Sequence, residues 1–273
     1  MQHHPKPLTE FPGQDIRIKG VFSTTSRTTV GFGHTKKKIS QNILVFAVEQ
    51  EDGKISIQSL NAHFVPTGTA KVVTRENLLK NYLPEPDVYL SKVFPMMRSV
   101  EKSVARGERH LRNNETFSAE MEFKTALRID EENIRATFGL GLSYLARGDT
   151  QRGAIVFRRL VRLDAAFEPR HKHMFNQFGI SLRKNKMYPQ ALKYYAKARI
   201  ISGEDENLIF NMARTFYEKD RPTLALKFLA KALAMNPNLA EARKFRIFLD
   251  QRLGTCPPKA SNASKPSQTS TFL

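Results

Sequence analysis

Ile134 to Phe167 read IRATFGLGLSYLARGDTQRGAIVFRRLVRLDAAF, and this stretch decides the fold. Gly141 and Gly153 stand on either side of Gly148-Asp149, a turn signal, and Phe157 comes three places before Leu160. The same offsets recur along the chain. Gly107, Ala119 and Ala126 lie one unit earlier; Gly179, Ala191 and Ala198 lie one unit later, followed by Ala213, Ala225 and Ala232. Eleven of these twelve positions hold Gly or Ala, Leu160 being the exception. A large residue stands three places before the last of each set: Phe123, Phe157, Tyr195 and Leu229. Small side chains are needed where two antiparallel helices come close, and the larger neighbour plugs the remaining gap. Units starting at 100, 134, 172, 206 and 240 are spaced 34, 38, 34 and 34 residues apart, whereas a simple helical bundle requires no fixed period.

These residues resemble the tetratricopeptide repeat family. Phe138 to Leu142 read FGLGL, with Leu140-Gly141 and Tyr144 at the family's L-G-x-x-Y offsets. Ala225, Leu229, Ala232-Leu233 and Pro237 match the closing part of its pattern. The resemblance covers repeats at 100–133, 134–167, 172–205 and 206–239, with Ala240 to Leu253 as a capping helix whose Ala242, Phe245, Ile247, Phe248 and Leu249 cover the array's end. Departures are Glu131 at a favoured proline, Leu160 at a small-residue site, and four extra residues, Glu168 to His171. Gly148-Asp149 and Asp220-Arg221-Pro222 fall in turns.

The resemblance also implies a site. In such arrays the first helix of each repeat lines a concave groove. Carried over by position, repeat 2 offers Arg135, Phe138, Leu142 and Leu145; repeat 3 offers Asn176, Gln177, Ile180 and Arg183. Repeat 4 offers Phe210, Asn211, Arg214 and Tyr217, and the cap adds Lys244 and Phe248. Amides can pair with both donors and acceptors of an extended backbone, Arg forks take carboxylates, and apolar side chains give anchors. The competing role for Phe138, Leu142 and Phe210 is packing between neighbouring repeats. The carboxylate clamp by which some of these domains hold chaperone tails is absent, because Val104 and Glu108 stand where Lys and Asn are needed.

Ahead of the repeats the chain changes character. Ile16-Arg-Ile-Lys-Gly-Val-Phe and Lys54-Ile-Ser-Ile-Gln-Ser-Leu alternate as half-buried strands do, and Ile43-Leu-Val-Phe-Ala-Val-Glu reads as a more buried one. Gln50-Glu-Asp-Gly is a hairpin turn. A short strand at Ala70–Val73 and a helix at Arg75–Tyr82 complete a β-rich unit that either binds a partner itself or covers the first repeat. Pro86 to Met97 predicts a helix docked on repeat 1, with Pro95 marking a kink or boundary.

The expected architecture is therefore α+β: a disordered N-terminus at 1–15, a small β-rich domain at 16–84, a connecting helix at 85–99, the repeats and cap of an all-α helical solenoid at 100–253, and a disordered Ser/Thr/Pro/Lys-rich tail at 254–273. Met1–Pro12 has no apolar segment of the kind a secretory leader needs, and the single cysteine, Cys256, permits no internal disulfide. Both fit a cytoplasmic location.

The formal charge is +18, from 44 Lys and Arg against 26 Asp and Glu. It is spread along the chain, and the densest runs, Lys36-Lys37-Lys38 and Arg158, Arg159 and Arg162, read as a solvated edge strand and a solvated helix face. No catalytic constellation emerges. The histidines are His3, His4, His34, His63, His110, His171 and His173, and the His171-Lys-His173 pair lacks further ligands at metal spacing. Gly31-Phe-Gly33 precedes no helix, and Asp130-Glu131-Glu132 sits at an inter-repeat turn. The expectation is a non-enzymatic scaffold without metal or cofactor that holds an acidic or amphipathic protein or peptide. The alternative is a nucleic-acid or anionic-surface binder using the positive charge.

Overall fold

The computed structural model describes residues 17–30, 37–163, 166 and 171–253. Expectations for 1–15, Ile16, Gly31-Phe32-Gly33, His34, Lys36, residues 168–170 and the 254–273 tail with Cys256 lie outside them. The chain divides into two compact units, one ending at Ser143 and the other beginning at Tyr144.

The first unit opens with an antiparallel sheet in the order β4-β3-β2-β1-β5. Its strands are β1 (Lys19–Val30), β2 (Lys37–Glu49), β3 (Ile55–Leu60), β4 (Pro66–Val73) and the short β5 (Leu83–Pro84). β1 and β2 run well past the apolar alternation that announces them. Their register continues from Lys19↔Val48 to Val30↔Lys37, through a Thr- and Ser-rich stretch opposite Lys37–Asn42. Backbone pairing continues the ribbon there, which an apolar pattern does not reveal. The β2–β3 hairpin closes with Gly53 N–H donating to Gln50 O at 3.1 Å, Gly53 holding φ +75°. α1 (Arg75–Asn81) is capped by the Thr74 hydroxyl, which accepts from Asn77 N–H.

The two sheet faces do different work. Phe22, Val45, Ala47, Ile55 and Ile57 bury Leu78 of α1. On the opposite parity, Val21 and Phe46 pack with Val93 and Met97 at the start of the helices. Val65 enters the core of the first helix pair beside Val100, Val104 and Phe123. The β-rich segment thus packs against the first helix pair.

The helical chain begins as a short turn, α2 (Pro86–Val88), widens to a π-helical turn over Tyr89–Val93, and runs on as α3 (Phe94–Arg112). Pro95 explains the widening. It has no N–H to donate, and its ring would press on the carbonyl one turn back, so Phe94 N–H reaches to Tyr89 O instead. α4 (Thr116–Ile129) completes the pair, and α5 (Ile134–Ala146) follows. Phe123 is the plug: a Cβ on Gly107 would lie 2.7 Å from its ring, and one on Gly139 2.2 Å.

The second unit holds α6 (Thr150–Arg162), α7 (Lys172–Lys184), α8 (Tyr188–Ser202), α9 (Glu206–Glu218), α10 (Pro222–Met235) and α11 (Ala240–Leu253). All twelve small-residue positions are buried, as are the four plugs. Within each pair, the first helix ends on a left-handed residue at the same offset: Asn114, Gly148, Lys186 and Asp220. The following N–H donates back across the turn, as Met187 N–H does to Leu182 O at 3.0 Å and Arg221 N–H to Phe216 O at 2.9 Å. The described residues thus form an α+β fold with four tetratricopeptide-type helix pairs and a closing helix.

Candidate functional site

In the first unit, the groove positions are already occupied by the protein's own contacts. Arg135 donates from Nε and Nη2 to the Glu108 carboxylate at 2.8–3.1 Å. Phe138 is 1% exposed and Leu142 8%, so both serve as packing, the role that competed with binding in the sequence. Leu145, across the division in the second unit, is buried too.

α9 supplies the centre of the site in the second unit. Asp205 caps its N-terminus by accepting from Leu208 N–H at 3.0 Å, and also pairs with Lys172 of α7. Phe210, Arg214 and Tyr217 follow at the four- and three-residue spacing that puts side chains on one helix face. Phe210 is mostly buried, Arg214 and Tyr217 are half-buried, and Asn211 points inward among buried residues. On α7, Gln177 is exposed and Asn176 and Ile180 are half-buried, while the Asn176 Oδ1 atom is buried without a hydrogen-bond partner.

Arg183 departs furthest from expectation. It is 4% exposed, its Nη1 donates to Glu218 of α9, and its Nε is buried without a partner. It supports the face from beneath rather than reaching out of it. Arg214 beside it has no salt bridge among the described residues; its guanidinium lies 5.9 Å from the Phe210 ring centre. Burial lowers the Arg214 pKa, and the positive field of Arg183 adds to that, against the attraction of Glu218. Tyr195, buried below, has its phenol pushed up by loss of solvent and pulled back by both guanidiniums.

The last helix closes the site. Phe210, Arg214, Tyr217 and Glu218 of α9 face Glu241, Lys244 and Phe245 of α11 across an open pocket of about 450 Å³. Phe245 meets Phe210 and Tyr217 edge-on, with ring centres 6.0 and 5.5 Å apart. Phe248 continues the cluster, 5.8 Å from Tyr217, but it and Ile247 are exposed rather than buried as the cap reading expected; Ala242 and Leu249 are the buried residues of α11. Lys244 is exposed at the rim.

Sequence reasoning missed Glu108, Glu218, Glu241 and Phe245 as site residues. A signal existed for the first two. Glu108 and Arg135, like Arg183 and Glu218, occupy groove-facing places of first helices in successive repeats, where opposite charges meet. Arg158, Arg159 and Arg162 are exposed on α6, as a solvated face should be. Among the described residues, no three His, Cys, Asp or Glu side chains gather as a metal site, and no helix is long and apolar enough to cross a membrane.

The helical part of the chain has the tetratricopeptide repeat fold, on its period, its buried small-residue stripe and its matching turns. No family model matches the chain. A curated relative, anaphase-promoting complex subunit 3 of Schizosaccharomyces pombe, is 24% identical over 132 residues, which cover 47% of this chain and 19% of that protein. The chain therefore spans about a fifth of that relative's length. Among solved structures, PilF of Pseudomonas aeruginosa is similar at 18% identity and TM-score 0.48, covering 59% of this chain and 72% of that one. MamA from Desulfovibrio magneticus RS-1 is similar at 18% identity and TM-score 0.46, covering 57% and 86%. YrrB, described as a TPR protein with an unusual peptide-binding site, is similar at 22% identity and TM-score 0.42, covering 51% and 70%.

Proposed function

We propose that this chain is a non-enzymatic scaffold that holds an extended segment of a partner protein against α7, α9 and α11. The observation that carries this is the open pocket between α9 and α11, where an aromatic wall and the side chains of Arg214 and Lys244 share one surface. Aromatic side chains beside Arg are the residue types that dominate binding energy when a partner covers them. Gln177, exposed on α7, offers an amide suited to a peptide backbone.

A peptide-display selection against the full chain tests the proposal. Enriched peptides should bind the wild type and lose most of their affinity for a Tyr217→Ala/Lys244→Ala variant whose thermal unfolding is unchanged. No enrichment over the starting library, or full binding by the double variant, overturns it.

A further inference from the structure

We infer that the pocket between α9 and α11 selects an in-chain acidic side chain flanked on both sides by large apolar residues. The inference rests on the scaffold reading and names the chemistry of its partner.

Charge comes first. Two cations, Arg214 and Lys244, line the pocket, with the carboxylates of Glu218 and Glu241. Glu218 is committed to Arg183 by a hydrogen-bonded ion pair, and Arg183 is nearly buried with its Nε left without a partner. Arg183, Arg214 and Lys244 therefore outnumber Glu218 and Glu241 by one. Arg214 is half-buried and makes no salt bridge among the described residues, and the Arg183 guanidinium adds a repulsion that Glu218 offsets only in part. The lowered pKa of Arg214 reports both effects. A bound carboxylate relieves them together, through charge-assisted hydrogen bonds that a neutral amide cannot match.

Geometry then chooses the source of that carboxylate. Along α9, Arg214 is bracketed by Phe210 one turn before and Tyr217 one turn after, with Phe245 contacting both rings. Apolar surface lies on both sides of the cation. A chain terminus would leave one side empty; an acidic residue inside a segment fills both. At 1.5 Å per helical residue, the two rings are offset from Arg214 by about 6 and about 4.5 Å along the axis. An extended peptide covers about 3.3 Å per residue and turns alternate side chains to the same face, so two places, about 6.6 Å, matches the Phe210 side and is the first same-face position on the Tyr217 side.

The test measures the full chain by fluorescence anisotropy against the dye-labelled, end-blocked heptapeptide Gly-Phe-Ser-Glu-Ser-Leu-Gly, its Gln counterpart, and a shorter form ending at the Glu with a free carboxylate. The Glu heptapeptide should bind at least about tenfold more tightly than the Gln peptide, as expected for loss of a charge-assisted contact. It should also bind more tightly than the shortened form. Arg214→Gln should erase the Glu preference, and Arg214→Lys should restore part of it. Equal binding of Glu and Gln peptides, tighter binding of the shortened form, survival of the preference in Arg214→Gln, or no measurable binding of the Glu heptapeptide overturns the inference. Display-selected peptides that lack an acid yet still depend on Tyr217 and Lys244 would sink this inference alone and leave the scaffold standing.

Discussion

Gly179 of α7 and Tyr195 of α8 approach so closely that a Cβ on the glycine would lie 2.3 Å from the ring. The tyrosine is fully buried and cannot swing aside without disturbing its neighbours. Alanine normally favours a helix interior over glycine by about 1 kcal/mol, but forced overpacking costs about 1–3 kcal/mol. Gly179→Ala should therefore lower the urea midpoint. An unchanged or raised midpoint would mean that the helices do not meet as described.

The turn at Lys186 makes the opposite prediction. Its φ of +60° is the left-handed conformation that a side chain resists, and the equivalent turn of another pair uses Gly148 at φ +74°. Lys186→Gly should stabilise the protein by up to about 1 kcal/mol, once the added freedom of the unfolded glycine is set against the relieved strain. Equilibrium unfolding reads this directly, and a destabilised variant would contradict the strain.

How much of this was legible in the sequence depended on whether a feature repeats. Gly107, Gly179 and Ala213 recur at fixed offsets, so the helix pairs could be read from one chain. The β-rich segment has no such echo. That Val65 packs beside Phe123 depends on contacts between distant segments, which no local pattern encodes. The same limit applies to the candidate site. The sequence shows that Arg135 and Arg183 are cations in first helices, but their loss to Glu108 and Glu218 requires knowing which positions of successive repeats meet. Burial of Phe138 and Leu142 was undecided because an apolar residue looks the same at a groove and in a core.

Asn61 ties the sheet to the first helix pair. Its Nδ2 donates to Ile129 O at 2.8 Å, closing the C-terminal end of α4, while its Oδ1 accepts from His63 and Val65 N–H at 2.9 and 3.0 Å. Asn61→Ala leaves those backbone groups unpaired and should cost about 1–3 kcal/mol. Asn61→Asp keeps the acceptor for His63 and Val65 but sets a carboxylate oxygen against Ile129 O at the C-terminal end of α4, so it should not recover the loss. Hydrogen exchange should speed up at His63 and Val65 in the alanine variant, and an unaltered exchange pattern would contradict the link.

Asp130 gives the fold a pH signature. Burial raises its carboxyl pKa and Glu132 adds repulsion, against hydrogen bonds from Asn133 and the backbone. A folded pKa above the unfolded one means that the native state holds the proton more tightly. No penalty exists below the unfolded value, about 3.9, and stability is lost as pH rises from there through the folded pKa. Asp130→Asn, which keeps an acceptor for Asn133, should therefore raise Tm at pH 7. The gain should vanish below about pH 4. A gain of equal size at both pH values would point to a cause other than ionisation.

The most direct test of the binding face is hydrogen–deuterium exchange on the full chain with and without a display-selected peptide. Protection should rise in 172–184, 206–218 and 240–253, with 19–73 unchanged. Protection confined to 19–73, or absent from α9 and α11, would contradict the account.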